Sequence, residues 1–352
     1  MRKQIEVGGV IVGGGASISV QSMTTTKTSD ISETVSQIQR LTELGCDIIR
    51  VAVPDKSSAL AIEDIKNRIT IPLVADIHFD HKLALLAVEA GADKIRINPG
   101  NIGCDDSVRA VAKLCLEKNI PIRIGVNSGS LSREILAKHG GVTAEALLES
   151  ALGHIRILNK FDFDNICVSV KTSSVPLTIS AYRLLFEKTD YPLHVGVTEA
   201  GTEYMGIIKS SIGIGALLLE GIGDTIRVSL TAAPEQEVKA AVAILKALGL
   251  RSGFDLISCP TCGRCNVDLI QISTVVEKRL EQLATHNNFT GKTISVAVMG
   301  CAVNGPGEAS RADYGIAAGN GEGVIFKQGK IISKLPMEGL VDGLLDAITY
   351  DI

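Results

Sequence analysis

The residue types with most chemical reach in this chain lie near its C-terminus. They are Cys259-Pro-Thr-Cys262, Gly263-Arg264-Cys265 and Gly300-Cys301-Ala-Val-Asn304-Gly305-Pro306-Gly307-Glu308. Two thiols three positions apart can clasp one metal ion or cluster, and a distant third can close the site once the fold returns it. Cys301 follows a strand-like run over 293–299 and enters a loop rich in Gly and Pro, where a fold presents a ligand instead of burying a thiol. Three ligand sets fit. Cys259, Cys262 and Cys265 match the opening of a ferredoxin-type run, with Cys301 as a fourth thiolate. A four-cysteine zinc site is the structural alternative, although zinc modules usually carry their cysteines in pairs and Cys301 has no partner beside it. The third set uses Cys259, Cys262 and Cys301, with Glu308 in the fourth position as an oxygen ligand that substrate can replace. Spacing alone does not choose between Cys265 and Cys301.

A second group of residues sits earlier. Ile49-Arg50-Val51, Ile95-Arg96-Ile97, Ile122-Arg123-Ile124 and Ile226-Arg227-Val228 each place an Arg inside an aliphatic run, and a fifth run ends in Lys171. A cation amid aliphatic neighbours is costly unless it meets an anion or water. One such Arg could belong to an edge strand or a structural ion pair. Four of them and a Lys point to convergence on a compact polyanion. Arg grips phosphate oxygens in bidentate fashion, which favours a phosphate or diphosphate. Gln21, Ser22, Asp76, His78, Asn98, Asn127, Ser130, Thr198, Glu199 and Ser229 fall at or just beyond the C-terminal ends of the same runs. Glu199 is an acid among the cations, able to donate a proton to a leaving oxygen or to orient a hydroxyl.

The elements that position these groups follow a regular rhythm. Eight strand-like runs occupy 18–23, 47–53, 71–76, 94–98, 121–126, 165–171, 192–197 and 225–230, mostly apolar with little alternation. Helical patterns fill 31–44, 58–68, 82–90, 107–118, 143–159, 178–188, 203–219 and 234–247, with Asp30 and Ser58 as N-caps. Eight strand–helix units predict an α/β fold, a (β/α)8 TIM barrel; an open doubly wound sheet is the alternative, since a count of eight does not prove closure. Residues 5–12 read as a hairpin around Gly8-Gly9. The rhythm stops near Arg251-Ser252-Gly253, the expected linker. A barrel domain over 1–251 and a small α+β domain over 252–352 follow. The second domain is expected to hold a helix near 274–284, the strand before Cys301, a Gly-rich stretch over 315–323, a hairpin over 324–332 and a last helix over 337–349. Gly213-Ile214-Gly215 lacks the third glycine of a dinucleotide fingerprint and lies in a helical pattern.

Composition excludes several classes. The chain has 352 residues, 45% hydrophobic, 3% aromatic and no Trp, with a formal net charge of −4. That charge gives no general attraction to nucleic acid or an anionic membrane. No apolar run reaches spanning length, glycines interrupt any signal-like N-terminus, and a cytoplasmic protein is expected. Eight cysteines in so long a chain do not form a disulfide framework; Cys46, Cys104, Cys115 and Cys167 read as small buried hydrophobes.

Taken together, Gln21–Thr24, Ala75–His78, Arg96–Gly103, Gly125–Gly129, Thr198–Gly201, Gly223–Ser229, Cys259–Cys262 and Val303–Glu308 resemble the hydroxymethylbutenyl diphosphate synthase family of the methylerythritol phosphate route to isoprenoids. The likeness runs from about residue 2 to the end. It implies a TIM barrel, a C-terminal domain carrying a [4Fe-4S] cluster, and a homodimer in which one subunit's cluster domain caps the other's barrel. The implied substrate is 2-C-methyl-D-erythritol 2,4-cyclodiphosphate, opened and dehydrated with two electrons from ferredoxin or flavodoxin. By motif the cluster ligands fall on Cys259, Cys262, Cys301 and Glu308, leaving Cys265 a bystander. The diphosphate falls to Arg50, Arg96, Arg123, Lys171, Arg227 and Ser229, with Asn127 and Thr198 beside them. Asp76, His78 and Glu199 match polar contacts near the reacting carbons. The competing readings are a phosphate- or pterin-handling barrel enzyme with a structural zinc site, and a zinc-ribbon interaction module on an inert barrel.

Overall fold

The computed structural model describes residues 2–265, 267–286, 293–301, 308–319 and 321–351. It divides into two compact units, Met1–Ile244 and Leu245–Ile352.

The first unit begins with an antiparallel hairpin, β1 (Gln4–Val7) and β2 (Val10–Gly13), in which Val7 pairs with Val10. Its two turn residues, Gly8 and Gly9, have φ of +52° and +90°, the positive sign a tight primed turn demands. Eight strands follow: β3 (Ser19–Met23), β4 (Ile48–Ala52), β5 (Leu73–Asp76), β6 (Lys94–Ile97), β7 (Ile122–Asn127), β8 (Ile166–Lys171), β9 (His194–Val195) and β10 (Thr225–Ile226). They lie in one sheet in the order β8-β7-β6-β5-β4-β3-β10-β9. A parallel bridge from Val168 to Leu193 joins the two ends, with the Val168 N–H donating to the Pro192 carbonyl at 2.9 Å. The sheet is therefore a closed barrel and not an open doubly wound layer.

The expectation of strands with little alternation needs correction. Ile49, Val51, Ile95, Ile97, Ile122 and Ile124 are fully buried and occupy one face of their strands. Lys94, Arg96, Arg123, Cys167, Ser169 and Lys171 occupy the other face, since alternate strand residues point to opposite sides. The aliphatic face meets the helices and the polar face fills the lumen. At one end the lumen is stoppered by the hairpin: Ile5, Val7 and Val12 pack with Ile48, Val74 and Cys167.

The helices match the sequence pattern within a few residues, from Ile31–Glu43 to Pro234–Ala247. Asp30 caps the first, accepting from the Glu33 N–H at 3.2 Å. Ser58 is not a cap; its own N–H donates to the Asp55 carboxylate at 2.8 Å, and Asp55 starts the helix. A short helix, Arg133–His139, and a 3-10 turn, Ser128–Ser130, appear where no element was expected. Gly213 falls inside helix Glu203–Leu219, where a Cβ would come within 2.7 Å of Val197, so this glycine serves helix–strand packing. Cys46, Cys115 and Cys167 are buried, but Cys104 is exposed just ahead of helix Asp105–Glu117, contrary to expectation.

The second unit is a five-stranded sheet ordered β11 (Gly253–Ser258), β12 (Thr293–Met299), β13 (Tyr314–Ala318), β14 (Glu322–Lys327), β15 (Lys330–Pro336). The first three strands are parallel and the last two antiparallel to their neighbours. Helices Leu269–His286 and Met337–Asp351 contribute Leu269, Val276, Leu280 and Leu344 to a core with Val296, Val298 and Ile316. β11 starts at the last residue of the expected linker, and β13 runs through the first part of the Gly-rich stretch. Gly315 serves packing there: a Cβ would run into the Phe326 ring and lie 2.6 Å from the Ala297 carbonyl. Among the described residues, no helix is long and apolar enough to cross a membrane.

Candidate active site

The four I/V-flanked arginines converge. Arg96 on β6 pairs in register with Arg123 on β7, and with Asp76 on β5. Arg96 Nη1 donates to Asp76 Oδ1 at 3.1 Å, and Arg50 Nε lies 3.7 Å from Asp76 Oδ2. His78 Nε2 stands 3.6 Å from the same Oδ2 and 3.4 Å from Arg96 Nη1. Burial would raise the Asp76 carboxyl; Arg50, the adjacent His78 and Arg96 outweigh it and hold the group far below the usual carboxylate range. Asp76 is thus a fixed anion that aligns two guanidinium groups.

Arg123 is 2% exposed, and among the described residues it meets no carboxylate in hydrogen-bond range. Its Nη1 donates to Ser169 Oγ at 2.8 Å, while Nε and Nη2 have no partner. Burial, then the neighbouring Arg96, pushes its guanidinium down to about 10, which leaves it charged near neutrality. Lys171 is buried too; desolvation and then Arg123, Arg227, Arg50 and Arg96 drive its ammonium well below the ordinary lysine value. Arg227 Nη2 donates to Glu237 Oε2 at 3.3 Å, and Glu237 also accepts from the Leu230 N–H at 2.9 Å. The Ser22 hydroxyl reaches the same carboxylate at 3.4 Å. Five basic groups in the upper lumen therefore face two carboxylates, Asp76 and Glu237, and the four guanidinium groups outnumber these acids even with Lys171 neutral. A buried excess of positive charge with idle N–H groups is built to receive an anion.

Two glycines make room for these side chains. A Cβ on Gly125 would collide with the Arg96 guanidinium, coming within 2.8 Å of Nη2 and 3.0 Å of Cζ. A Cβ on Gly196 would lie 2.8 Å from Lys171 Nζ. Gly125 entered the sequence pattern only as the first residue of the Gly125–Gly129 motif, and Gly196, Glu237, Ser169, Lys94 and His194 were not among its site residues. The alternation in Lys94-Ile95-Arg96 was a usable signal for Lys94. Glu237 had none, because an acid in the first turns of a helix usually faces water.

The remaining candidates ring the C-terminal ends of the strands. Asn127 ends β7 and its N–H and carbonyl both bond the Ser130 hydroxyl, at 3.0 and 2.8 Å. The Thr198 N–H donates to the Thr172 carbonyl at 3.1 Å. Glu199 is exposed, with a left-handed φ of +50°, a conformation uncommon for any residue with a Cβ. His78 is exposed, and Ser229 is half-buried beyond β10.

In the second unit, Cys259 immediately follows β11 and its N–H donates to Val298 of β12 at 3.3 Å. Cys301 lies two residues past the end of β12, so the two cysteines follow neighbouring parallel strands at the same edge of the sheet. Cys262 is exposed; the backbone N–H and charge of Arg264 lower its thiol below the ordinary value. Cys265 turns inward: its thiol donates to the Val267 carbonyl at 3.3 Å and packs against the core. Glu308 opens a 3-10 turn, Glu308–Arg311, whose Ala309 packs with Met299 of β12. The Glu308 side chain and residues 302–307 and 287–292 lie outside the described residues, so the Glu308 ligand assignment is placed only by its backbone. Among the described residues no group of three or more His, Cys, Asp or Glu is already gathered around a metal position. The donor chemistry, soft thiolates at adjoining strand ends, fits an iron–sulfur cluster.

A closed α/β barrel with a cationic lumen, followed by a thiol-bearing α+β unit, defines the class. Residues 2–242 match the model of the GcpE TIM-barrel domain and 255–350 that of the GcpE protein C-terminal domain. The chain belongs to the GcpE family. It is 59% identical over 348 residues to the 4-hydroxy-3-methylbut-2-en-1-yl diphosphate synthase (flavodoxin) of Caldicellulosiruptor saccharolyticus, covering 99% of this chain and 98% of that one. The enzyme of the same name from Ruminiclostridium cellulolyticum is 56% identical, over 99% and 97% of the two chains. Among solved structures, the type I 3-dehydroquinate dehydratase of Clostridium difficile covers 70% of this chain and 98% of its own at a TM-score of 0.52. Its 14% identity speaks to the barrel fold alone.

Proposed function

We propose that this chain is a flavodoxin- or ferredoxin-dependent synthase of the methylerythritol phosphate pathway. It converts 2-C-methyl-D-erythritol 2,4-cyclodiphosphate to 4-hydroxy-3-methylbut-2-enyl diphosphate, taking up two electrons and two protons and releasing one water. The observation that carries this reading is Arg123, buried in a ring of cations with two guanidinium N–H donors unclaimed.

The chain's own residues do three things in this scheme. Arg96, Arg123, Lys171 and Arg227 bind the diphosphate and hold the phosphate that leaves the carbon while negative charge grows on it. Asp76 keeps Arg50 and Arg96 aligned, and Glu237 does the same for Arg227. Glu199 and His78, at the exposed rim, are the groups placed to hand on protons. Cys259, Cys262, Cys301 and Glu308 would hold a [4Fe-4S] cluster, which when bound supplies the electrons. The chain acts as a homodimer.

The test is anaerobic purification followed by turnover of the cyclic diphosphate with reduced flavodoxin. About four irons and four sulfides per chain, the full complement of one cluster, together with product formation, support the assignment. Zinc without sulfide, or a loaded cluster that leaves the cyclic diphosphate untouched, overturns it.

A further inference from the structure

Beneath the guanidinium layer lies a second polar layer that substrate binding does not explain. Ser19, Gln21, Lys94, His194 and Thr225 are all at least 96% buried. The hydroxyls of Ser19 and Thr225, both amide atoms of Gln21, both ring nitrogens of His194 and the Lys94 ammonium lack any hydrogen-bond partner. Ser19, Thr225 and His194 are paired across the adjoining strands β3, β10 and β9. Lys94 sits on β6, four strands from β10 in the eight-membered ring, and so projects from the opposite wall. The hairpin's apolar stopper closes the chamber below. Burial first, then Arg123 and Arg50, lower the Lys94 ammonium to about 8 against the pull of Cys167, so it is still largely charged near neutrality.

The charges do not balance. Even with Lys171 neutral, Lys94 and the four guanidinium groups of Arg50, Arg96, Arg123 and Arg227 outnumber Asp76 and the helix residue Glu237, and both acids are already engaged higher up. Water could satisfy the hydroxyls and the imidazole but would leave the ammonium charge uncompensated. His194 is kept neutral, by burial first and then by Lys171 and Arg123, so it can offer one N–H as a donor.

We propose that the lumen holds a small monovalent anion of the chloride class, bound to Lys94 and flanked by the Ser19 and Thr225 hydroxyls and a neutral His194 N–H. It is separate from the diphosphate site and lies below it. Its work is to neutralise the floor of the cationic chamber, so that the upper guanidinium groups remain charged and fixed while the mouth is empty.

The test uses the full cluster-loaded chain. Crystals soaked in bromide should show an anomalous peak in contact with Lys94 Nζ, and Lys94→Met should abolish it while leaving any halide at the outer arginines. In solution, Tm in chloride at about 0.15 M should exceed that in gluconate of equal ionic strength by about 2–4 °C, as for an anion held roughly tenfold below that concentration. The shift should vanish in Lys94→Met. If that variant does not fold, Thr225→Val should still cut the shift by about half. Ordered water alone beside Lys94 in the bromide crystals, or a chloride shift of equal size in wild type and the folded variants, overturns the proposal.

Discussion

The two units solve the problem of presenting reactive groups in opposite ways. In the barrel, the cations stem from the strands, where backbone register fixes each Cα and neighbouring carboxylates, glycines or, for Arg123, the Ser169 hydroxyl place the head groups. In the second unit, Cys259 and Cys301 sit just past strand ends and Cys262 lies on an exposed turn. The first design stores electrostatic strain in the fold before ligand arrives. The second keeps its donors on chain that a metal centre can draw together. The lesson is that the barrel should lose function without losing its fold, whereas the thiol unit should lose both.

The largest expected effect tests the second half of that contrast. Cys301→Ser should abolish turnover and strip iron from the protein; a variant that keeps its full iron and sulfide count would break the comparison. Arg123→Met comes next. It removes a buried cation with unclaimed donors, so affinity for the cyclic diphosphate should fall about 10–100-fold, the worth of one or two charge-assisted hydrogen bonds. Its Tm should hold or rise, because an uncompensated buried charge leaves with it. A falling Tm would show that Arg123 supports the fold and that the contrast is misdrawn. Gly125→Ala should then weaken binding about tenfold by moving the Arg96 guanidinium, with calorimetric titration of substrate as the readout.

Asp76 sharpens the picture through pH. Its folded carboxyl is held below the unfolded value of about 3.9, so its contribution is complete above that value and fades as pH falls through the folded one. The stability gap between wild type and Asp76→Asn should thus stay flat from pH 8 down to about 5 and narrow only below about 4. A gap that closes between pH 7 and 5 would mean that Asp76 is not clamped by Arg50 and Arg96. The smallest effect belongs to Cys265→Ser. Its thiol is turned toward the Val267 carbonyl and the core, so the iron count should be unchanged and Tm should shift only slightly. Loss of iron would make Cys265 a ligand.

Much of this was legible beforehand because strand period and charge are written locally. An Arg between two β-branched aliphatic residues declares its own conflict, and four such conflicts in one repeating pattern already imply a shared lumen. Strand and helix positions followed from the same rhythm. What escaped depended on distant pairing. Gly125 and Gly196 matter only because another strand's side chain crosses them. Glu237 reads as a surface helix residue until β10 brings Arg227 against it. Ser58 misled because two residues able to cap lie three apart, and the earlier one, Asp55, takes the role. In the second unit β11 went unread just past the expected linker, since Phe254-Asp255-Leu256 is too short and mixed to stand out before β12 pairs with it.

The barrel wall is uneven around its circumference. β7 and β8 pair over six rungs, but β9 and β10 hold two residues each, and the ring closes on a single bridge at Val168 and Leu193. Few ladder bonds cross that arc, so its amides should exchange with solvent deuterium sooner than those of β7 and β8. Glu199 and Arg227 are mounted there, one just past β9 and one just past β10. The enzyme thus has a stiff side that grips and a compliant side that can give way as a ring of substrate atoms springs open.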